Sequence, residues 1–213
     1  MVEIELKYAI PNKGIAEIIW QDADLVKIEE AGSREKLTFK ATYFDTDDCI
    51  LAANDVAFRV RLEGTRLVAA LKWSGKSEGP LHTRNEINVP IDGEACLIMP
   101  DPAIFSESQI GRQMLALIGG RPLTGLMEVR FLRRRIRVDA GSSIIEVSID
   151  VGEIASDNGT EPICELELEL FSGEQSQLIA LGEKLARRYS LVPEGRSKYA
   201  RGLALGGKAV LGK

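Results

Sequence analysis

Apolar and charged residues alternate over much of this chain. Glu3-Ile4-Glu5-Leu6-Lys7 sets the pattern, and Glu165-Leu166-Glu167-Leu168-Glu169-Leu170 repeats it near the other end. A period of two belongs to a β-strand, whose successive side chains point to opposite faces. The spacing predicts strands over 2–9, 36–45, 56–63, 66–73, 82–89, 127–138, 143–150 and 163–171. Turn signals at Glu63-Gly64 and Ala140-Gly141 make two hairpins, so antiparallel pairing is expected. Helical periodicity is rarer. It covers 13–20 after Pro11, 107–118 up to Gly119-Gly120, 174–190 with Leu178, Leu181, Leu185 and Tyr189 on one stripe, and 198–205. The stretch 90–103 is expected to connect two halves of one domain spanning 1–205, and the Gly-rich 206–213 to form a flexible tail.

The strand faces opposite the aliphatics are ionic. They carry Glu3, Glu5 and Lys7, then Arg59, Arg61 and Lys72, then Arg84 and Glu86, and later Arg133, Arg135, Glu146, Asp150, Glu165, Glu167 and Glu169. One such strand would ordinarily lie in a sheet with a solvated face. Seven sharing the pattern point to a barrel closed around a charged lumen, with helices packed on its aliphatic outside. The expected fold is therefore mainly β (α+β), an eight-stranded antiparallel closed barrel with flanking helices. A barrel of about eight strands leaves room for one small ligand.

Composition narrows the chemistry. A net charge of −5 with 28% charged residues gives no general affinity for nucleic acid or an anionic membrane, so neither is expected as a partner. Cys49, Cys96 and Cys164 form no CxxC pair, which points away from disulfides or a zinc knuckle and towards a reducing cytoplasm. No stretch is long and apolar enough for a spanning helix, and no basic-then-apolar leader opens the chain. His82 is the only histidine, so a metal site here must be built mainly from carboxylates, which suits magnesium, manganese or calcium. Arginines and lysines converging in a lumen attract an anion with several negative groups. Carboxylates beside them would repel that anion unless a divalent cation lies between. The combination reads as a metal-bridged polyphosphate site, where a metal-activated water attacks a phosphoryl group. The competing reading is an ion-pair lattice without ligand, which requires near-perfect pairing of many buried charges.

A set of motifs adds to this. In order they are Glu3-x-Glu5-x-Lys7, FRVRLEG (58–64), ALKWSG (70–75), LHTRNEINVP (81–90), VSIDVGEI (147–154), ICELELELFSGE (163–174) and RSKYARGLAL (196–205). Together they resemble the CYTH, or triphosphate tunnel metalloenzyme, superfamily, and most of all its bacterial inorganic triphosphatase group, over essentially the whole chain. The resemblance implies an eight-stranded tunnel that binds a triphosphate with Mg2+ or Mn2+. Carried over by position, Glu3, Glu5, Glu165 and Glu167 would be metal ligands, with Asp150 helping. Lys7, Arg59, Arg61, Lys72, Arg84 and Arg133 would grip the phosphates. Lys198 would also bind phosphate and close one end of the tunnel, and Glu86 would orient neighbouring basic groups or support the metal. Glu5, Lys7 and Lys198 are the expected catalytic residues. Arg135 shares the parity of Arg133, and Glu169 that of Glu165 and Glu167. Both are supporting candidates, with the choice between the two arginines and the reach of Glu169 left open.

The implied activity is metal-dependent hydrolysis of tripolyphosphate, a small-molecule partner, to pyrophosphate and phosphate in the cytoplasm. A thiamine triphosphatase, a nucleoside triphosphatase, a class IV adenylate cyclase or a non-catalytic polyphosphate- or nucleotide-binding module are the alternatives. Members of that bacterial group often carry a histidine-rich helical domain after the barrel, and these 213 residues end where it would begin. Elsewhere His82 is expected to be structural, Trp20 and Trp73 to pack, and Lys36 and Lys40 to line a solvated edge. Tyr43-Phe44-Asp45-Thr46 reads equally as a strand capped by an Asp-Thr turn or as support for the site. The segment from Gly202 to Ala209 only approximates a P-loop, because Ala209 lacks the hydroxyl that a magnesium ion needs.

Overall fold

The computed structural model describes residues 2–208. Its long strands are β1 (Val2–Ala9), β2 (Glu35–Asp45), β3 (Val56–Glu63), β4 (Arg66–Glu78), β5 (Leu81–Ile91), β6 (Thr124–Asp139), β7 (Ile144–Ser156) and β8 (Gly159–Ser172). They run in the order β5-β4-β3-β2-β6-β7-β8-β1, and β1 pairs back onto β5, closing an antiparallel barrel. A two-residue strand, β9 (Val192–Pro193), pairs with Tyr8 and Ala9 beyond the point where β5 leaves β1. Helices are α1 (Lys13–Trp20), α2 (Ala23–Ile28), α3 (Ile50–Ala53), α4 (Gln109–Ile118), α5 (Gln175–Tyr189) and α6 (Lys198–Leu205). Among the described residues, no helix is long and apolar enough to cross a membrane.

Each predicted strand forms, and several run further than their alternation. Gly159–Pro162, for example, pairs with Glu153–Ser156 through backbone alone. The short helices α2 and α3 carry no readable periodicity and depend on caps. Asp22 accepts from the amides of Asp24 and Leu25 to start α2. The Asp45 carboxylate, fully buried, accepts from Thr46, Leu51 and Ala52 amides, so Tyr43-Phe44-Asp45-Thr46 ends in a capped turn that nucleates α3. The connection over 90–103 contains a 3-10 turn at Glu94–Leu97, and a second, Pro102–Phe105, begins within it. Of the expected tail, the Gly206 and Lys208 amides donate back to the carbonyls of Gly202 and Leu203 in α6. Residues 209–213 lie outside the described residues.

The aliphatic faces point outward and make the core. Leu6, Val147, Leu166 and Leu168 pack under Ile19, Leu25, Leu178 and Leu185 from α1, α2 and α5. On the other side Phe58, Val60 and Leu71 pack under Leu51, Phe105, Met114 and Ile118. Each such burial is worth about 1.5–3 kcal/mol, so the barrel is stabilised from outside and its interior is free for polar groups. The interior is not ionic throughout. Strand β2 turns Phe39, Ala41 and Tyr43 inward, where they meet Val129, Phe131 and Leu203. Helix α6 plugs this end. It enters so closely that a Cβ on Gly202 would sit 2.0 Å from the Met127 sulfur.

Candidate active site

Strand register decides which charges meet. On β1, Glu5 lies opposite Glu169 of β8, Lys7 opposite Glu167, and Ala9 opposite Glu165. On the other flank Glu3 lies opposite Arg84 of β5 and Glu5 opposite His82. Lys72 faces Glu86, and Arg133 faces Asp150. The cavity inside the barrel has a volume of about 190 Å³. Its walls include Glu3, Glu5, Lys7, Arg59, Arg61, Lys72, Arg84, Glu86, Arg133, Arg135, Glu167, Glu169 and Lys198, with Glu63 and Glu146. Asp150 and Glu165 are buried behind this wall, whereas Glu169 is part of it.

Two ionic groups result. Around the first, the Lys72 ammonium donates to Glu3 at 2.7 and 3.0 Å and lies 3.3 Å from Glu86. Arg59 donates to Glu86 at 3.2 Å and to the Tyr43 hydroxyl at 3.4 Å, so Glu86 holds both cations in place. Lys7 sits 3.3 Å from Glu5 and 3.4 Å from Glu167. The second group is a clasp around α6. Lys198 lies 2.7 Å from Glu165, 2.7 Å from Glu167 and 2.9 Å from Asp150. Arg133 grips Asp150 through two nitrogens at 2.7 Å and also touches Glu167. Arg201 donates to Glu161 at 2.7 Å and contacts Glu165. Asp150, Glu165 and Glu167 form a buried acidic cluster with ligand-capable oxygens within 4.8 Å of one another, but Lys198 sits among them.

Arg201 was not among the expected site residues. Its signal was its spacing of three from Lys198, which puts both on one helix face. Sequence carries no indication that the partner of that face would be the acidic strand.

The electrostatics are uneven. Glu169 makes no ion pair among the described residues. Burial, then repulsion from Glu3, Glu5 and Glu146, pushes its carboxyl up to about 7. Burial and then the neighbouring Arg59 and Arg133 guanidiniums depress Arg61 to about 10, against the pull of Glu63. The Nε atoms of Arg59 and Arg61 are buried without hydrogen-bond partners. In the clasp the balance is closed. Burial opposes ionisation of Glu167, but Lys198, Lys7 and Arg133 outweigh it and hold the carboxyl well below its ordinary range. Burial likewise opposes the charge on Lys198, yet Asp150, Glu165 and Glu167 keep it well above the usual ammonium range.

The other candidates have structural surroundings. His82 is buried, with Nδ1 2.9 Å from the Ser77 hydroxyl and Nε2 2.9 Å from the Glu194 carbonyl. Trp20 packs beneath Arg34 and Arg134. Lys40 points outward and pairs with Glu128 at 3.1 Å. Arg135 reaches the cavity wall but is shared between Glu35 and Glu146.

Residues 1–203 match the CYTH domain family. An inorganic triphosphatase of Haemophilus influenzae is 32% identical over 215 residues, covering 98% of this chain and 56% of its own length. The chain thus spans about half the length of that curated relative. Among solved structures, an adenylyl-cyclase-type protein from Hippeastrum, described as having a dominant triphosphatase activity, aligns with a TM-score of 0.71 at 22% identity over 98% of each chain. A Pyrococcus horikoshii protein aligns at 0.55 and 18%, over 95% of this chain and 98% of its own. At such identities these two establish the fold alone.

Proposed function

This chain belongs to the CYTH domain family, and from that premise we propose that it is a metal-dependent hydrolase that cleaves inorganic triphosphate to pyrophosphate and phosphate. One observation carries the reading. A single cavity is faced by Glu169, a carboxylate without an ion-pair partner among the described residues, and by Arg59 and Arg61, whose buried Nε atoms lack acceptors among them. A divalent cation together with an oligophosphate would relieve both deficits at once.

The donor set suits such a cation. Glu3, Glu5 and Glu169, with Glu146 beside them, offer hard carboxylate oxygens, as Mg2+ or Mn2+ prefers. Glu167 borders this group across Lys7. Asp150 and Glu165 are already neutralised by Lys198, Arg133 and Arg201, so we assign them to holding the plug helix rather than the metal. When bound, the cation would supply charge neutralisation at phosphoryl oxygens and acidify a water for in-line attack.

The remaining work falls to the chain's own residues. Arg59, Arg61, Arg84 and Arg133 would bind phosphate oxygens, their planar guanidiniums suiting bidentate contact. Glu86 would keep Arg59 and Lys72 aimed into the cavity. Lys7, between Glu5 and Glu167, stands where the acidic and basic parts of the site join. Lys198, held protonated by three carboxylates, would act as a fixed positive charge rather than a proton donor. The aromatic wall and α6 would keep bulk water from one end, strengthening each charge interaction.

The test is incubation with tripolyphosphate, ATP and thiamine triphosphate, each with Mg2+, Mn2+ or a chelator, and identification of the products. Pyrophosphate and phosphate from tripolyphosphate, formed only with a divalent ion, are expected. Cyclic AMP from ATP, or no turnover of tripolyphosphate, would overturn the proposal.

A further inference from the structure

Breaking a phosphoanhydride leaves an oxygen with a new electron pair, and a proton delivered there eases the break. Lys7 and Lys198 are poor sources. Burial opposes the charge on each, but the carboxylates around them outweigh it and hold both ammoniums above their ordinary range. Both ring nitrogens of His82 are already engaged.

Tyr43 of β2 is placed differently. It lines the cavity at 5% exposure, and strand register sets it directly opposite Arg59 of β3. Its ring stacks on Tyr199 of α6, with centroids 5.1 Å and planes 27° apart, so the plug helix fixes its direction. The Arg59 guanidinium donates to the phenolic oxygen at 3.4 Å. The hydroxyl makes no other hydrogen bond among the described residues, which leaves its own proton without an acceptor there. A buried donor of this kind is destabilising unless something meets it.

The surroundings are cationic. Arg59 and Arg61 of β3 and Lys72 of β4 act on Tyr43, Glu86 of β5 holds Arg59 from behind, and Cys49 at the head of α3 borders the same cluster. Burial pushes the phenol up, but the three cations outweigh it and bring it below its ordinary value. The chain has four tyrosines, and the other three are shifted the opposite way, first by burial.

We propose that Tyr43 is the general acid of the hydrolysis, giving its proton to the oxygen of the leaving pyrophosphate, a role that rests on the triphosphatase reading of the cavity and adds a catalytic residue to it. In-line displacement puts the attacking water and the leaving oxygen on opposite sides of the phosphorus. The carboxylates gather around Glu169, with Glu3, Glu5 and Glu146 nearest it. The attacking water belongs at that end, so the leaving group falls to the arginines, where Tyr43 lies. A phosphate oxygen that takes up the unpartnered Nε of Arg59 meets the same guanidinium that holds the Tyr43 hydroxyl. The oxygen of water bonds to the terminal phosphorus and the bridging P–O bond breaks. Its electron pair stays on the pyrophosphate oxygen, which takes the Tyr43 proton. Arg59 stabilises the phenolate, and a proton released by the attacking water restores the phenol.

Tyr43→Phe tests this, because it removes the hydroxyl and keeps the ring that stacks on Tyr199. With tripolyphosphate and Mg2+, kcat and kcat/KM are expected to fall together by about a hundredfold, within the usual range for a positioned acid, with the circular dichroism spectrum unchanged. The alkaline limb of the kcat/KM profile, where the wild type loses this proton, should vanish. A more acidic fluorotyrosine placed at position 43 should instead move that limb to lower pH. A further readout needs no turnover. In an ultraviolet titration of the metal-free protein, the first tyrosine to ionise should be missing from Tyr43→Phe. Wild-type kcat in Tyr43→Phe, a rise in KM alone, an unmoved limb with fluorotyrosine, or a first ionisation that persists in the variant would each overturn the acid role and leave the parent reading standing. Absence of tripolyphosphate turnover in the wild type would overturn both.

Discussion

Replacing Lys198 by methionine tests the clasp directly. Lys198 is 8% exposed, and its ammonium lies within 2.9 Å of three carboxylates, two of them almost completely buried. Methionine preserves much of the side-chain volume but leaves Asp150, Glu165 and Glu167 short of one positive charge. Removing one partner of a buried ion pair typically destabilises by about 3–5 kcal/mol, because the other is left uncompensated. Arg133 and Arg201 still touch all three carboxylates, so about 3 kcal/mol is expected rather than the upper figure. For a chain of this size that corresponds to a fall in melting temperature of about 6–12 °C. Chemical and thermal unfolding at pH 7.5 without divalent ions would measure it. Adding Glu165→Gln to Lys198→Met should restore part of the loss, since it removes the surplus negative charge, and the two changes should be strongly non-additive. A loss below about 1 kcal/mol, the value of a solvated pair, would refute the view that α6 is held by a buried clasp.

Other perturbations probe the cavity. Glu169→Gln should stabilise the metal-free protein at pH 8 but not at pH 4. A carboxyl raised to about 7 in the fold binds an extra proton there, so wild-type stability falls as pH rises from about 4.5 to about 7. Chelator-treated unfolding at the two pH values reads this, and a pH-independent difference would count against it. Glu5→Gln should abolish divalent-dependent turnover with an unchanged circular dichroism spectrum; wild-type turnover would remove Glu5 from the site. Arg59→Ala should weaken tripolyphosphate binding about tenfold to a hundredfold by calorimetry, the scale of lost charge-assisted hydrogen bonds. Unchanged affinity would exclude it from phosphate binding.

Which parts of this were legible beforehand follows from the physics of each feature. Period-two alternation is local, so the eight strands and the inward parity of Glu3, Glu5, Lys7, Arg59, Arg61 and Arg133 could be read from neighbours in the chain. Strand β2 was expected to put Lys36 and Lys40 on a solvated edge, but it pairs with β3 and β6 on both flanks, so Lys40 reaches solvent from the outer face of a closed barrel rather than from an edge. Closure placed the aromatics inside, where they meet Phe131 and Leu203. The helices α2 and α3 were missed because the capping carboxylates of Asp22 and Asp45, rather than any periodicity, hold their first turns.

The pairing of the carboxylates is the clearest division between the two levels. Sequence alone determined that Glu165, Glu167 and Glu169 share the face of the β1 charges, since alternation assigns faces without reference to any partner. It left open which of them stands opposite Glu5, because sliding one strand by two residues returns every side chain to the same face. The closed barrel selected Glu169 for Glu5 and placed Glu165 beyond Lys7. There Lys198 and Arg201, carried in on a helix more than thirty residues later, could reach it. Face is a property of the strand, but register and the filling of the barrel's end require the whole ring of strands and the plug to come together.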